Sequence, residues 1–323
     1  MNKKCENKYE NTRKTDITTN VSENPSAEKH KTKASKNATH EKPINTAFTA
    51  VKDHFLDVNC SYVAADEIDP GFLQKRNSEI TIFQSNIRSL NANFDRIHEI
   101  FHNENTPDIL AFTETWLKEE SYVPEIEGYC FEHINSQKTK NCAGGVGVYI
   151  SNDINYEKQS DLYLNYENCE DLWIKISSKN KKRDKKSDGL VLGVIYRHPG
   201  HNHKQFSKNL CNTLEILNSR KQNYVIVGDI NLDSQKYNVA SNITEYINLL
   251  NSLGCNLFVD KPTRISGSSS SCIDHVYSNL AVDSIESQIL CTDISDHFSI
   301  ISKVDFAVNR KKYEPVIYRR KQS

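Results

Sequence analysis

Short apolar runs alternate with amphipathic stretches from Ile80 onwards, and turn-forming residues separate them. Runs of about four to eight apolar residues between turn signals are typical of strands. Several, such as VIVGD and DILAFT, are apolar on both faces, as expected of strands that are covered on both sides. The pattern predicts strands at Ile80–Ser85, Asp108–Thr113, Val146–Ile150, Leu172–Ser177, Leu190–Tyr196, Tyr224–Asp229, Asn256–Val259, Cys272–Ser278, Ser284–Cys291 and Phe298–Phe306.

Three segments carry apolar residues at helical spacing. They are Asn91–His102, with Phe94, Ile97 and Phe101; His203–Arg220, with Phe206, Leu210, Leu214 and Leu217; and Ser241–Leu253, with Ile243, Ile247, Leu250 and Leu253. Gly254 follows the last segment as a helix stop signal. Many strands with few helices do not suit a doubly wound nucleotide-binding fold. They favour an α/β fold in which two sheets pack face to face and the helices lie outside.

The N-terminal part of the chain differs from the rest in amino-acid composition. Residues 1–53 are rich in Lys, Asn, Thr, Ser and Glu and show no periodicity. We expect a disordered polar tail there, because such a stretch buries too little apolar surface to offset the entropy of ordering. Residues 54–79 have an intermediate composition and are predicted to be a linker or an edge segment. The folded domain is predicted to span residues 80–306.

The net charge of the chain limits how it can bind a nucleic acid. The chain has 323 residues, 26% of them charged, and a formal net charge of −1. A nucleic-acid partner would therefore need positive charge that is gathered on one face. The basic run Lys179–Lys186 lies between two predicted strands. It is a nuclear-import signal, a DNA-facing loop or a solvated hairpin loop.

The sequence gives no sign of a membrane or secreted protein. No apolar run approaches the ~20 residues that cross a bilayer, and the N terminus lacks the apolar core of a secretory signal. The nine cysteines are widely spaced and include no CxxC pair. This spacing favours reduced thiols over a disulfide framework or a zinc cluster. We expect a protein of the nucleus or cytoplasm that has no membrane partner.

Polar side chains stand at the ends of several apolar strands, where they can be presented at the rim of a sheet. Taken singly, each has a plain explanation, such as a turn at GD or a loop at SDH. Together they supply four carboxylates, two carboxamides and a histidine at similar positions. They are Asn86 after TIFQS, Glu114 after DILAFT, Asp229 and Asn231 in VIVGDIN, Asp274 in SCIDHV, and Asp296 and His297 in ISDHFSI.

These residue types suit the hydrolysis of a phosphodiester. A hard cation such as Mg²⁺, or alternatively Mn²⁺, prefers carboxylate and amide oxygens. Glu114 is the best metal ligand, Asn86 lies close by, and Asp296 can approach the same ion. The cation would polarise phosphorus and offset the charge that develops in the transition state.

The remaining candidates supply acid–base and binding groups. We expect Asp274 to orient His297 by a hydrogen bond to one ring nitrogen, leaving the other nitrogen for the reaction. Asp229 positions the attacking water or serves the leaving oxygen, and Asn231 binds the phosphate. The spacing does not identify the general base. Tyr196, in VIYRHPG, either donates to a phosphate oxygen or is a half-buried core tyrosine.

Seven motifs in this order carry a resemblance to a known family. They are NIRSL (Asn86–Leu90), TETWL (Thr113–Leu117), GGVGVYI (Gly144–Ile150), VIYRHP (Val194–Pro199), GDIN (Gly228–Asn231), CIDH (Cys272–His275) and SDHFSI (Ser295–Ile300). The chain resembles the endonuclease/exonuclease/phosphatase superfamily. More closely, it resembles the apurinic-endonuclease-like domain of non-LTR, LINE-type retrotransposons.

The resemblance implies a four-layer α/β/β/α sandwich of two packed, mainly antiparallel sheets with outer helices. It also implies a Mg²⁺ requirement and nicking of one DNA strand to leave a 3′-hydroxyl, which primes reverse transcription in the parent elements. The family's site roles fall on Asn86, Glu114, Tyr196, Asp229, Asn231, Asp274, Asp296 and His297. Among these, Glu114 is most plainly the metal ligand.

Two departures refine the resemblance. DNA-repair members often carry an acidic residue two positions after the first Asn, where this chain has Arg88. The retrotransposon branch often lacks that acid, so Arg88 favours this branch. Residues 307–323 resemble the start of a basic linker toward a reverse transcriptase. That polymerase domain is expected in the parent element and absent here, which predicts a truncated or standalone remnant.

Two alternatives to a DNA endonuclease stay open. The same fold can act as a phosphatase or an RNA nuclease, because those branches share the GDxN and SDH-like motifs. The chain can also be an inactive, transposon-derived remnant that at most binds DNA.

Overall fold

Two β-sheets form the centre of the molecule in the structure, a computed structural model that describes residues 58, 60–101, 106–137, 143–179 and 189–311. The strands are β1 (Cys60–Ala64), β2 (Glu79–Asn86), β3 (Ile109–Thr113), β4 (Tyr129–Ile134), β5 (Val146–Ser151), β6 (Tyr156–Lys158), β7 (Cys169–Ile176), β8 (Leu190–Arg197), β9 (Asn223–Asp229), β10 (Asn256–Leu257), β11 (Arg264–Ser266), β12 (Ser269–Ser271), β13 (Asp274–Ser278), β14 (Ile285–Cys291) and β15 (Ser299–Asp305). The helices are α1 (Pro70–Leu73), α2 (Leu90–Ile100), α3 (His203–Ser219) and α4 (Ser241–Ser252).

The first sheet has the strand order β1-β14-β15-β2-β3-β5-β4, and the second has the order β10-β13-β9-β8-β7-β6. Most neighbouring strands are antiparallel. The pairs β1–β14, β2–β3 and β8–β9 are parallel. Strands β11 and β12 form a separate two-stranded hairpin.

Alternation of side chains along the strands explains how the layers stack. In β9, Val225 and Val227 belong to the apolar cluster that both sheets share, whereas Tyr224 and Ile226 belong to the cluster that also contains residues of α3 and α4. A third cluster joins α1 and α2 to the other face of the first sheet. Both faces of each sheet are thus covered, which accounts for strands without polar alternation. The predicted fold, two packed sheets with outer helices, is confirmed.

The edges of the sheets are where the strand prediction is incomplete. Strands β4 and β6 carry partly exposed, mixed residues, and β12 is a run of three serines, so none shows an apolar pattern. The predicted strand Asn256–Val259 is reduced to two residues, since Phe258 and Val259 leave the ladder after β10.

The folded region extends beyond the predicted bounds of residues 80 and 306. Within the expected linker of residues 54–79, β1 pairs with β14 at the edge of the first sheet. After residue 306, Arg310 forms ion pairs with Asp108 and Asp153, at 2.7 Å and 3.1 Å. Short, mixed segments of this kind are held by pairing with distant strands, which their own composition does not reveal.

Some sequence predictions fall outside the described residues. These are the tail at residues 1–53, residues 180–186 of the basic run and the end of the chain from residue 312. The seven described cysteines are free thiols. Among the described residues, no helix combines the length and apolar character needed to cross a membrane.

Candidate active site

Strand ends from both sheets converge at one rim of the sandwich. Asn86 ends β2, and Glu114 directly follows β3, which runs parallel to β2. In the second sheet, Asp229 at the end of β9 is the register partner of both Tyr196 in β8 and Asp274 in β13. Because parallel strands deliver their ends to the same edge, residues far apart in the sequence meet there.

Asn86 links the two sheets. Its side chain is fully buried, and its Nδ2 donates to Oε1 of Glu114 at 3.0 Å and to Oδ2 of Asp229 at 2.8 Å. The Tyr196 hydroxyl donates to the same Glu114 oxygen at 3.2 Å. Trp116 Nε1 donates to the other oxygen of Glu114 at 3.2 Å. Tyr196 is therefore a buried tyrosine whose hydroxyl reaches the candidate site.

The backbone around Glu114 is held in an unusual conformation. Glu114 has a φ of 52° and Trp116 a φ of 57°. Such left-handed conformations in residues other than glycine persist where the surroundings fix them, and they cluster at functional sites. Here the amides of Thr115 and Trp116 donate to the carbonyls of Gly145 and Gly144. A Cβ on Gly145 would lie 2.6 Å from Oγ1 of Thr115, so glycine is needed for this close approach.

Asp229 is buried and well anchored. The backbone amide of Asn231 donates to its Oδ1 at 3.0 Å. Gly228, the residue before it, has a φ of 141°, and a Cβ there would lie 2.0 Å from the carbonyl oxygen of Ile195. The GD pair is thus the end of a strand rather than a turn, and its glycine allows β8 and β9 to approach.

Asn231 and Arg197 brace the loop that follows Asp229. The Asn231 side chain donates to the carbonyl of Arg197 at 2.8 Å. In return, the Arg197 guanidinium donates to the carbonyls of Ile230 and Asn231, at 2.6 Å and 2.8 Å. Arg197 is buried, as is His198 beside it. Neither side chain is therefore at the surface.

Asp274 and His297 form a buried pair. His297 Nδ1 donates to Oδ2 of Asp274 at 2.7 Å, as the sequence predicts. Thr263 donates to the same oxygen at 2.8 Å, and Gln84 Nε2 donates to Oδ1 at 3.3 Å. Ser295 accepts from the amide of His297 and donates to the carbonyl of Asn86, which ties the SDH loop to β2. Nδ1 of His297 is therefore committed to Asp274.

The charges in the site shift two pKa values. Burial, followed by the negative charges of Asp274 and Glu114, raises the pKa of Asp229 to about 7, against the opposing effects of His297 and Asn86. Burial lowers the pKa of His297, but the charge and hydrogen bond of Asp274 and the charges of Asp229 and Asp296 outweigh it and raise the pKa to about 9. Near neutral pH, the site thus combines a protonated imidazole with a carboxyl group that exchanges its proton.

The candidate metal ligands fall into two groups. Asn86 and Glu114 are in contact, and Oδ1 of Asn86 is buried without a hydrogen-bond partner among the described residues. An unpartnered buried oxygen beside a partly exposed carboxylate fits a hard cation. Asp296 differs, because both its oxygens are bound by arginines: Oδ1 by Arg88 at 2.7 Å and Oδ2 by Arg264 at 2.7 Å.

A second combination of ligand atoms lies deeper in the site. One ligand atom from each of Asp229, Asp274 and His297 can be chosen so that all lie within 4.8 Å of one another. His297 and Asp274 already satisfy each other, so we favour Asn86 and Glu114 as the residues that could hold an ion.

Several contributors to the site have no sequence signal. Thr263 belongs to none of the sequence motifs, yet it is fully buried against Asp274. Gln84 points inward from the middle of β2, and Arg264 lies in the short hairpin strand β11. His198 Nε2 is 3.0 Å from Oε1 of Glu170, and its ring lies 4.8 Å from that of Tyr196.

The sequence was compared with models of known protein families and with curated proteins. A sequence profile of the Endonuclease/Exonuclease/phosphatase family matches residues 83–297, which contain every candidate site residue. A comparison with curated proteins gives no significant match.

Several solved structures have a similar fold. The endonuclease domain of TRAS1, a telomere-specific non-LTR retrotransposon, is 14% identical, with a TM-score of 0.53 over 71% of this chain and 99% of that one. The catalytic domain of APE2 from Xenopus laevis is 16% identical, with a TM-score of 0.52 over 76% of this chain and 100% of that one. The 3′ phosphatase NExo from Neisseria, bound to product DNA hairpin, is 15% identical, with a TM-score of 0.50 over 70% of this chain and 100% of that one.

Proposed function

Because the chain belongs to the Endonuclease/Exonuclease/phosphatase family, whose members are hydrolytic nucleases and phosphatases, we propose that it is a Mg²⁺-dependent endonuclease that nicks DNA and leaves a 3′-hydroxyl. The observation that carries the proposal is the contact of Asn86 with both Glu114 and Asp229. It joins a cation-binding pair from the first sheet to an acid–base group from the second.

The reaction is the addition of water to a backbone phosphate. The water oxygen attacks phosphorus, the bond between phosphorus and O3′ breaks, and O3′ leaves with a proton as the 3′-hydroxyl. Asp229, with a pKa of about 7, is suited to accept the proton of the water at neutral pH. The remaining strand keeps a 5′-phosphate.

His297 is suited to stabilise the negative charge on the phosphate. Asp274 holds its Nδ1, so the proton on Nε2 is available for a phosphate oxygen. A pKa of about 9 keeps the imidazole cationic at neutral pH. Buried charged donors of this kind stabilise developing negative charge more strongly than they would in water.

The cation would be held by Glu114 and by Oδ1 of Asn86. When bound, it would act as a Lewis acid toward a phosphate oxygen. Tyr196 and Trp116, which donate to the two oxygens of Glu114, fix the direction of this carboxylate. The chain's own contribution is therefore a rigid pair of oxygens, one on the buried Asn86 and one on the partly exposed Glu114.

DNA is preferred as the substrate on two grounds. The sequence motifs TETWL and NIRSL resemble those of the retrotransposon branch. The fold also resembles that of the TRAS1 endonuclease domain and of NExo, which was solved with product DNA hairpin. Phosphatase and RNA nuclease activity are the alternatives that the experiment must separate.

The test offers supercoiled plasmid, RNA and an inositol phosphate to the protein, each with Mg²⁺ or with EDTA. We expect nicked circles only with plasmid and Mg²⁺. The nicks should be sealed by a DNA ligase, which requires a 3′-hydroxyl and a 5′-phosphate. Unsealable nicks, or hydrolysis of RNA or inositol phosphate alone, would contradict the proposal.

Glu114→Ala should abolish nicking while the thermal unfolding temperature stays close to that of the wild type. Glu119→Ala is the matched control, because Glu119 is an exposed acid a few residues further along the same loop. Persistent nicking by the Glu114 variant would refute the assignment of the cation to Asn86 and Glu114.

A further inference from the structure

Two arginines bracket Asp296 at the edge of the candidate site. Arg88 Nη1 donates to Oδ1 at 2.7 Å, while Arg264 Nε and Nη2 donate to Oδ2 at 2.9 Å and 2.7 Å. The Arg88 and Arg264 side chains are 44% and 36% exposed, and that of Asp296 is 27% exposed. The carboxylate thus sits between two guanidinium groups that solvent can reach.

Both arginines are fixed relative to the catalytic candidates. Arg88 lies two residues after Asn86 with a φ of 44°, and its carbonyl accepts from Asn93 Nδ2 at 3.2 Å. Arg264 lies in β11 and forms an isolated antiparallel bridge with His297. Arg88 therefore lies next to the candidate metal ligand Asn86, and Arg264 lies next to His297.

The charge of this cluster is unbalanced. Two guanidinium groups face one carboxylate, which leaves a positive charge at a rim where Glu114, Asp229 and Asp274 are otherwise acidic. A phosphodiester carries one negative charge and presents two non-bridging oxygens, as a carboxylate does. Guanidinium groups bind both kinds of anion through the same forked geometry.

We propose that Arg88 and Arg264 bind a backbone phosphate of DNA next to the scissile one, and that Asp296 occupies their binding site in the free protein. This inference rests on the proposed function and names a contact that positions the substrate. On binding, the phosphate takes over the guanidinium donors and the Asp296 carboxylate is released. If Asp296 is to bind a cation, as the sequence predicts, it must first leave the arginines in this way.

The proposal makes opposite predictions for the arginines and for the aspartate. Arg88→Gln and Arg264→Gln should each weaken DNA binding roughly tenfold, because each removes charge-assisted hydrogen bonds to a phosphate. Asp296→Asn should strengthen binding, since it removes the anion that competes with the phosphate. A purely structural ion pair would give no gain in affinity from this substitution.

The experiment measures binding of a short fluorescein-labelled DNA duplex by fluorescence anisotropy in EDTA, at several salt concentrations between about 50 and 200 mM. The logarithm of the association constant falls linearly with the logarithm of the salt concentration, and the steepness of this fall should be smaller by about 0.9 in each arginine variant. The double variant should lose about the same amount, because the arginine left in each single variant stays paired with Asp296 and no longer neutralises the phosphate. Duplexes of different sequence should be affected equally, since a phosphate contact carries no sequence information.

Arg220→Gln and Asp161→Asn are matched controls. This surface ion pair has the same 2.7 Å distance and a similarly exposed arginine, but it lies near the start of β9, whereas the site lies at the end of β9. Neither control should change the affinity or the salt dependence, and unfolding curves establish that each variant is folded.

Three results would overturn the inference: unchanged binding by the arginine variants, weaker binding by Asp296→Asn, or additive loss of slope in the double variant. If the wild type nicks plasmid in the same preparation, the proposed function stands and only this inference fails. If the wild type neither binds the duplex nor nicks plasmid, both fail.

Discussion

Replacing Asp274 by Asn removes a negative charge beside His297 while keeping the shape of the side chain. The hydrogen bonds from His297 and Thr263 both reach Oδ2, so the amide oxygen of an asparagine can accept them. The new amide nitrogen would face Gln84, whose Oε1 is buried without a partner among the described residues and can accept from it after the amide turns. We therefore expect the variant to fold.

The negative charge of Asp274 is the largest of the effects that raise the pKa of His297. The pKa of His297 is about 9, against an ordinary value of 6.5, although burial acts in the opposite direction. The gap corresponds to roughly 3 kcal/mol in favour of the imidazolium. Since Asp274 is the largest of the opposing causes, the pKa should fall to 6.5 or below in the variant. At pH 7.5, the imidazole would change from cationic to mostly neutral.

The pKa of His297 can be measured directly by NMR titration of the histidine ring signals in EDTA. The chain has 11 histidines, so the His297 signal is identified as the one missing from a His297→Gln variant. His133, in the edge strand β4, serves as an internal control whose titration should not change. A His297 pKa that stays near 9 in Asp274→Asn would refute the reasoning.

The same substitution should change stability in a defined pH window. The folded pKa of His297 is raised, so its contribution to stability is fully present below about pH 6.5 and is lost as the pH rises through about 9. Relative to wild type, Asp274→Asn should therefore lose more of its free energy of unfolding at pH 6.5 than at pH 9.5. Urea denaturation at the two pH values tests this trend.

Three further substitutions test the packing. Burial raises the pKa of Asp171 to about 6, so the contribution of this group to stability is present below about pH 4 and is lost as the pH rises through 6. Asp171→Asn should therefore be more stable than wild type at pH 7, by at most roughly 3 kcal/mol in urea denaturation. An equal advantage at pH 4 would contradict this. Arg310→Gln leaves the buried carboxylate of Asp108 without its cation and should destabilise the fold by roughly 3 kcal/mol; a loss below about 1 kcal/mol would mean that water replaces the arginine. Gly228→Ala forces a methyl group against the carbonyl of Ile195 and should lower the thermal unfolding temperature, and an unchanged temperature would show that β8 yields without strain.

The parts of the fold that the sequence predicts are those with a strong apolar pattern. Strands such as β8 and β9 are buried on both faces, so they appear as continuous apolar runs. Edge strands give no such signal, because β4 is half exposed and β12 is entirely serine. Their position depends on pairing with β5 and β11, which composition alone does not encode.

The candidate site follows the same division. Asn86, Glu114 and Asp229 could be predicted because each stands where an apolar strand ends. The partners of Asp296 could not, since Arg88 and Arg264 reach it across more than 200 and about 30 positions of the chain. Spacing in the sequence identifies which groups reach a rim, and the fold decides which of them neutralise one another.

The position of β15 has a consequence for how the domain is synthesised. This last strand of the described chain lies between β14 and β2, near the middle of the first sheet. Until residues 299–305 leave the ribosome, β2 has an open, apolar edge on one side, although most of the domain has already emerged. Such an edge readily pairs with other chains. Polypeptides that stop before Ser299 should therefore aggregate rather than accumulate as a smaller folded form.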